Sequence, residues 1–303
     1  MQKRTKKPDI VSTFKSLDTE EPIDIYFYRP IGYEWALLFH KLGVSPNAIT
    51  IAAIFIGIAA GICFYFQNIL INVMGMLLLV WANSFDSADG QLARMTGKTS
   101  PLGRMLDGFC GDLWFIAIYA AICSRLFPEW GFWIWLFAAI TGFSHTTQAS
   151  MADYYRNVHL LFLKGKAGSE LSNSATLKEN YRKMSWGKNF IYKLFDSSYI
   201  SYTVRQEKLS PKLQQMMKII REKYNGEAPE WFRKAFREKS LPLMKYTNML
   251  SFNTRIIALF ISLFINRPWL YFAFEITVLN IMLIYMIIKH EHICAQFIKQ
   301  LEF

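Results

Sequence analysis

A chain of 303 residues could hold one or two soluble domains, but 52% of it is hydrophobic, and the apolar residues come in long blocks rather than at an amphipathic period. That distribution excludes an ordinary soluble core. The net charge of +11 is equally uneven: residues 156–245 carry 19 Lys and Arg against 8 Asp and Glu, so the rest of the chain balances near zero. The four cysteines, Cys63, Cys110, Cys123 and Cys294, are scattered without a C-x-x-C, which excludes a disulfide framework.

Residues 1–29 read as a polar tail; the opening MQKRTKKPDI is basic and leads into no apolar run, as expected of a cytosolic segment. Residues 30–42 place Trp35, Leu38, Phe39 and Leu42 on one face, which predicts an amphipathic helix lying in the membrane interface. After the turn at 43–47, Ser45 and Pro46 supply a cap and a helix-starting proline. Six blocks are long enough to span, at about 20 residues each. They cover 48–66, 69–94, 101–126, 130–154, 250–265 and 269–289.

Residues 157–247 form a basic insertion between the fourth and fifth spans. Its start, LKGKAGSELSNSATLKEN, reads as a loop. Three amphipathic helices follow: one over 186–195, one from Ser210-Pro211 with Leu213, Met216, Met217 and Ile220 on a face, and one from Pro229 with Trp231, Phe232, Ala235 and Phe236 on a face. Such helices either lie on an anionic leaflet or pack on each other as a subdomain. The fold class is therefore all-α and integral to the membrane. It comprises a tail (1–29), an interfacial helix and four spans (30–156), a helical insertion (157–247), and two spans with a C-terminal tail (248–303). The basic side belongs in the cytosol, which puts both termini there. No nucleic-acid partner is expected.

Four aspartates, Asp86, Asp89, Asp107 and Asp112, interrupt this membrane-grade sequence in DSADGQLARMTGKTSPLGRMLDGFCGD. An ionised carboxylate at the centre of a membrane helix costs roughly 2.5–3.5 kcal/mol. A divalent cation in a polar cavity is the simplest compensation. Asp86 and Asp89 are three apart and share one helix face; Gly103 and Asp107 are four apart and share another. Gly90 and Ala93 are small and let a ligand approach. Two acidic faces on neighbouring helices suit hard cations with oxygen ligands, and magnesium in such sites bridges substrate phosphates.

The pattern D-x-x-D-G-x-x-A-R, eight residues, then G-x-x-x-D is carried here by Asp86, Asp89, Gly90, Ala93, Arg94, Gly103 and Asp107. It resembles the signature of the CDP-alcohol phosphotransferase family, and the lead-in from Ser45 to Thr50 is similar to the one that opens the family's first span. The resemblance covers about residues 30–155. It implies a six-span enzyme dependent on Mg2+, with Mn2+ as a substitute. Such an enzyme cleaves the pyrophosphate of a CDP-linked alcohol, joins the phosphoryl-bearing part to an alcohol or lipid acceptor, and releases CMP on the cytosolic side. Asp86, Asp89 and Asp107 are then metal ligands, with Asp86, Gly90, Ala93, Arg94 and Gly103 lining the nucleotide site. A homodimer is expected.

One position departs from the pattern. The family's last acid, a metal ligand and the proposed general base, falls at 111, where this chain has Gly111, with Asp112 next. One residue turns a helical side chain by about 100°. A bulge over 108–111 would return Asp112 to the metal and let it serve with Asp107 in catalysis.

Arg94 is read as a phosphate contact. Gly97-Lys98-Thr99 is not a phosphate loop, because Leu92 stands where its glycine is required. On the fourth span His145, Gln148 and Arg156 follow one face beside Asp153 and predict a polar pocket for the acceptor, with Arg156 binding a phosphate or polyol. Asn253, Thr254 and Arg255 open the fifth span ambiguously, and His290-Glu291-His292 is read as a solvated helix end. An inositol or inositol-phosphate head group is favoured. The alternative is an aminoalcohol-type enzyme with a CDP-linked head group and a lipid alcohol acceptor, to which the run from Ser100 to Gly103 is similar. A cation transporter and an inactive lipid-binding homologue are weaker readings, the first lacking broken spans or matched halves.

Overall fold

The computed structural model describes residues 16–98, 101–165, 169–185 and 190–302. All regular elements among them are helical. The chain divides into two compact units, Met1–Ile140 with Ile256–Ala273, and Thr141–Arg255 with Phe274–Phe303.

The first unit holds α1 (Arg29–Lys41), α2 (Pro46–Cys63), α3 (Ile69–Thr96) and α4 (Pro101–Trp130). Ser45 caps α2 by accepting from the Ala48 N–H (3.3 Å), with Pro46 in the first turn, as the sequence predicts. Asn68 caps α3 by accepting from the Leu70 N–H (2.8 Å), and Gly97, at φ +65°, ends it in the left-handed region that an L side chain avoids. Helix α2 packs on both α3 and α4. Its approach to α4 depends on Gly57, where a Cβ would lie 2.2 Å from the Trp114 ring, whose Nε1 donates to the Ala53 carbonyl (3.0 Å). Arg125, buried on α4, donates to the Phe64 carbonyl (3.1 Å) and to Asn266 Oδ1 (2.7 Å), tying down two chain reversals at the end of the unit away from the acids.

Helix α1 forms where expected and meets the protein through its small residues. Gly32, Tyr33 and Ala36 are buried, while Leu38 and Leu42 of the predicted apolar face are exposed, and Trp35 and Phe39 pack around Phe85. The small residues win because α1 lies close against α3: a Cβ on Gly32 would meet Ser87 Oγ at 2.7 Å.

Among the described residues, five stretches are long and apolar enough to cross a membrane: Pro46–Cys63, Ile69–Thr96, Leu106–Trp130, Glu230–Phe264 and Trp269–Glu302. Their outer faces carry apolar stripes at helical spacing. Ile51, Phe55 and Ile62 line α2, and Leu70, Met74, Leu77 and Trp81 line α3, all exposed. Stripes of that kind are a liability in water and a lipid-facing surface in a bilayer. The helix at the expected fourth span, α5 (Trp133–Lys164), is not among the five; polar residues from Thr141 to Arg156 dilute its apolar run. The short block at 250–265 is α11 (Phe252–Phe264), and the apolar stretch reaching it begins upstream, in α9 (Glu230–Ser240) and α10 (Met244–Met249).

The second unit resolves the insertion. α6 (Ser174–Lys183) lies in the segment read as a loop; it is short and polar, and is started by Asn173, which accepts from the Ala175 N–H (2.9 Å). Glu207, from far along the chain, receives the Ser174 N–H (2.9 Å). α7 (Phe190–Leu209) runs well past the predicted end at 195, while 186–189 lie outside the described residues. α8 (Pro211–Lys223) and α9 begin where predicted. Their apolar faces do not lie on lipid. Leu213, Met216, Ile220, Phe232 and Phe236 are buried in one core with Tyr155 and Phe162 of α5 and Phe297 of α13 (Asn280–Glu302). Trp231 alone of the predicted α9 face points out. Of the stretch 290–292 only His292 is exposed: His290 stacks on Tyr155 with ring centroids 3.8 Å apart, and Glu291 caps α8 by accepting from the Lys212 (2.7 Å) and Leu213 (3.1 Å) N–H groups.

Candidate metal centre

Asp86 and Asp89 fall on one face of α3 because they are three residues apart, and the turn after Gly97 brings back α4 with Asp107 near its start. The carboxylates of these three residues each place an oxygen within 4.8 Å of the others. Their exposure is graded: Asp89 is 4% exposed, Asp86 half-buried and Asp107 exposed, so the cluster has a closed floor and an open rim. Three converging carboxylates without a matching cation carry strong mutual repulsion, and an all-oxygen donor set suits a hard divalent ion. The residues present fit such a cation.

Side chains around the cluster orient it. Thr50, in the second turn of α2, donates its hydroxyl to Asp89 Oδ2. The sequence offered only its place at the end of the lead-in run as a signal for this contact. Gln91 donates to the Arg29 carbonyl (3.0 Å) and to Ser87 Oγ (3.2 Å), which docks α1 against the motif helix. Arg29 in turn is held by Glu20 (2.9 Å). Arg94 folds back over Gly90: a Cβ at Gly90 would lie 3.3 Å from Arg94 Nη1. Arg94 Nε is buried without a hydrogen-bond partner, so a donor stands ready beside the acids. Ala93 is half-buried on the same helix, as is Gly103 on α4.

Asp112 lies outside this group. Helix α4 is α-helical without interruption from Pro101 to Trp130, so the bulge expected over 108–111 is absent. Five residues of regular helix rotate Asp112 by about 140° from Asp107. Position 111 itself is open: a Cβ on Gly111 would meet nothing within 4 Å.

The polar residues of α5 occupy a separate cluster in the second unit. Arg255, 1% exposed, donates to Glu275 Oε2 (2.6 Å), to Gln148 Oε1 (2.9 Å) and to the Leu250 carbonyl (3.1 Å), and meets His145 Nδ1 at 2.9 Å. Gln148 donates to the Glu275 carbonyl (2.9 Å) and to Asn280 Oδ1 (2.7 Å). His145 and Gln148 thus face a buried ion pair. Glu275, the one acid in the run WLYFAFEITVLN, passed unnoticed in the sequence. It opens the π-helical segment Glu275–Leu279, a wider turn whose freed carbonyl receives Gln148. Arg156 donates to Asn248 Oδ1 (3.2 Å) and Ser251 Oγ (2.8 Å), while its Nε is buried without a partner. Asp153 accepts from Asn157 (3.0 Å) and from the Tyr202 hydroxyl (3.2 Å).

Fold and site together define a multi-pass helical membrane protein with a carboxylate centre at the junction of two membrane helices. The model of the CDP-alcohol phosphatidyltransferase family matches residues 43–159, and over that region the chain is similar to this family. It is 28% identical over 130 residues to the bifunctional IPC transferase and DIPP synthase of Aquifex aeolicus, covering 40% of this chain and 29% of that one. It is 44% identical over 67 residues to the archaetidylinositol phosphate synthase of Pyrococcus horikoshii, covering 22% of this chain and 34% of that one. It is 27% identical over 128 residues to human cholinephosphotransferase 1, covering 37% of this chain and 29% of that one. The matched region spans about a third or less of each of these relatives. No solved structure matches.

Proposed function

We propose that this chain transfers a substituted phosphoryl group from a CDP-linked alcohol to an acceptor hydroxyl, releasing CMP, in the synthesis of a membrane lipid. The observation that carries this reading is the meeting of Asp86, Asp89 and Asp107 within 4.8 Å at the family spacing. These three residues would hold Mg2+, or Mn2+ in its place. A cation held there supplies neutralisation of the charge that develops on the pyrophosphate.

The chain's own residues do the rest. Thr50 fixes the rotamer of Asp89. Arg94, folded over Gly90, offers its free Nε–H to a phosphate oxygen. The acceptor oxygen bonds the phosphorus that bears the alcohol, and the bridging P–O bond breaks with its electron pair leaving on CMP. The hydroxyl proton passes to Asp107, the exposed member of the cluster, in preference to Asp112. Arg156, with a buried free Nε–H, binds the phosphate or polyol of the second substrate, while His145 and Gln148 position its surroundings from within the ion-pair cluster.

An inositol or inositol-phosphate head group fits an arginine in that place, and the archaeal relative's name points the same way. The resemblance of the run from Ser100 to Gly103 to aminoalcohol enzymes, and the cholinephosphotransferase match, favour a second reading with a CDP-linked head group as donor. The chain works as a six-span homodimer, α5 being the sixth span. Exposed Trp133, Leu136, Ile140 and Phe143 give α5 a lipid-facing stripe. The active site and both termini face the cytosol.

The test is CMP release by the purified chain in liposomes with Mg2+. The arms are CDP-diacylglycerol with inositol or inositol phosphate, and CDP-choline with diacylglycerol. CMP in the first arm, abolished by EDTA and cut at least about 100-fold by Asp89→Asn, is expected. No CMP with any donor overturns the proposal.

A further inference from the structure

On the second unit, the surface of α13 changes character at one level. Ile281, Ile284 and Ile288 are 69%, 57% and 61% exposed and form a stripe at helical spacing. Beyond Ile288 the exposed positions are Lys289, His292, Gln296, Lys299, Gln300 and Glu302. α10 of the same unit changes in the same way, from exposed Lys245 to exposed Met249. Two elements thus mark one boundary between lipid and water.

At that boundary four side chains meet. The rings of Tyr246 on α10 and Tyr285 on α13 are 5.0 Å apart, edge to face. Lys245 Nζ stands 4.7 Å from the centroid of Tyr246, and Lys289 Nζ stands 5.5 Å from that of Tyr285. Among the described residues neither lysine has a carboxylate partner, unlike Lys183 and Lys218, which pair with Glu179 and Glu222. Two ammonium groups and two phenols at the head-group level, directly above an exposed isoleucine stripe, complement one ligand with a phosphate above and an acyl chain below.

We propose that Lys245, Tyr246, Tyr285 and Lys289 form a head-group site for an anionic phospholipid of the surrounding leaflet, its acyl chain lying along Ile281, Ile284 and Ile288. The site is separate from the carboxylate centre and does not depend on the reaction assigned to it. The lysines hold the phosphate, the phenols donate to its oxygens or to the glycerol, and the isoleucines cover one chain. A zwitterionic lipid gains less, because its own ammonium competes for the phosphate.

The test is native mass spectrometry of the full chain released from vesicles of dioleoylphosphatidylcholine and dioleoylphosphatidylglycerol at about 7:3. Wild type should retain phosphatidylglycerol in preference to phosphatidylcholine, and Lys245→Gln with Lys289→Gln should cut the retained phosphatidylglycerol at least about fivefold. Lys183→Gln with Lys218→Gln, which removes the same charge elsewhere, should leave it unchanged. Equal retention by wild type and the 245/289 variant overturns the site, as does an equal loss in the 183/218 variant or no preference between the two lipids. Tyr246→Phe, which keeps the ring packing, serves as a second variant and should reduce retention about twofold.

Discussion

At the scale of single residues, the centre differs at one position from the family pattern it resembles, and the difference has a measurable consequence. Gly111 stands where the fourth acid is expected, with open space around it, and Asp112 points about 140° away from Asp107. If Asp107 takes the proton of the acceptor hydroxyl, Asp112→Asn should leave CMP release within about threefold of wild type. Gly111→Asp should raise it, because a carboxylate four residues beyond Asp107 returns to the same helix face. Initial rates in liposomes check both, and a loss of 100-fold in Asp112→Asn would restore Asp112 as the base. The buried pair in the second unit makes the opposite kind of prediction. Glu275→Gln leaves the Arg255 guanidinium, 1% exposed, without its counter-charge. Removing one partner of a buried pair costs about 3–5 kcal/mol, so the variant should melt well below wild type in detergent. The double change Arg255→Met with Glu275→Leu should recover most of that loss.

At the scale of helices, what was legible followed from local rules and what was missed depended on distant partners. Ser45-Pro46 announced α2, Ser210-Pro211 announced α8, and the three-residue spacing of Asp86 and Asp89 announced a shared face. The loop that became α6 has no apolar stripe, and its first turn is held by Glu207, more than 30 residues away in sequence. Glu291 looked solvated because its partners, the free N–H groups of α8, are nearly 80 residues distant. Helix α1 shows its apolar face in the sequence, but the close approach of Gly32 and Ala36 to α3 carries no sequence signal of its own. The same preference for small residues at contacts between membrane helices governs α2 against α4. Gly57→Val would drive methyl groups into Trp114, where even a Cβ would stand at 2.2 Å. Overpacking of this kind costs about 1–3 kcal/mol or more, and here it also pries α2, with Thr50, from the acids. Both a lower melting temperature and a loss of CMP release beyond that of Gly43→Ala, a position with nothing within 4 Å, are expected.

At the scale of the whole molecule, the uneven charge and the apolar blocks were the strongest signals, and they fixed the class before any motif was considered. They could not count the spans, because α5 carries residues of the His145–Arg255 cluster and loses apolar character by doing so. The proposed sidedness rests on the same charge asymmetry and can be measured. The four native cysteines are all buried, so an impermeant maleimide finds little background in the wild-type chain. Gln67, between α2 and α3, is exposed, as are Lys98 after α3 and Lys299 near the end of α13. If the basic side faces the cytosol, as proposed, cysteine placed at Lys98 or Lys299 should be labelled only after lysis, whereas cysteine at Gln67 should be labelled in intact cells. The Lys98 result bears on chemistry as well as topology. Lys98 closely follows the motif helix, so labelling there from outside would place the carboxylate centre on the side where no activated nucleotide is supplied. Protection of Lys98 with labelling of Lys299 would instead mean an odd number of crossings between them and remove α5 from the spans.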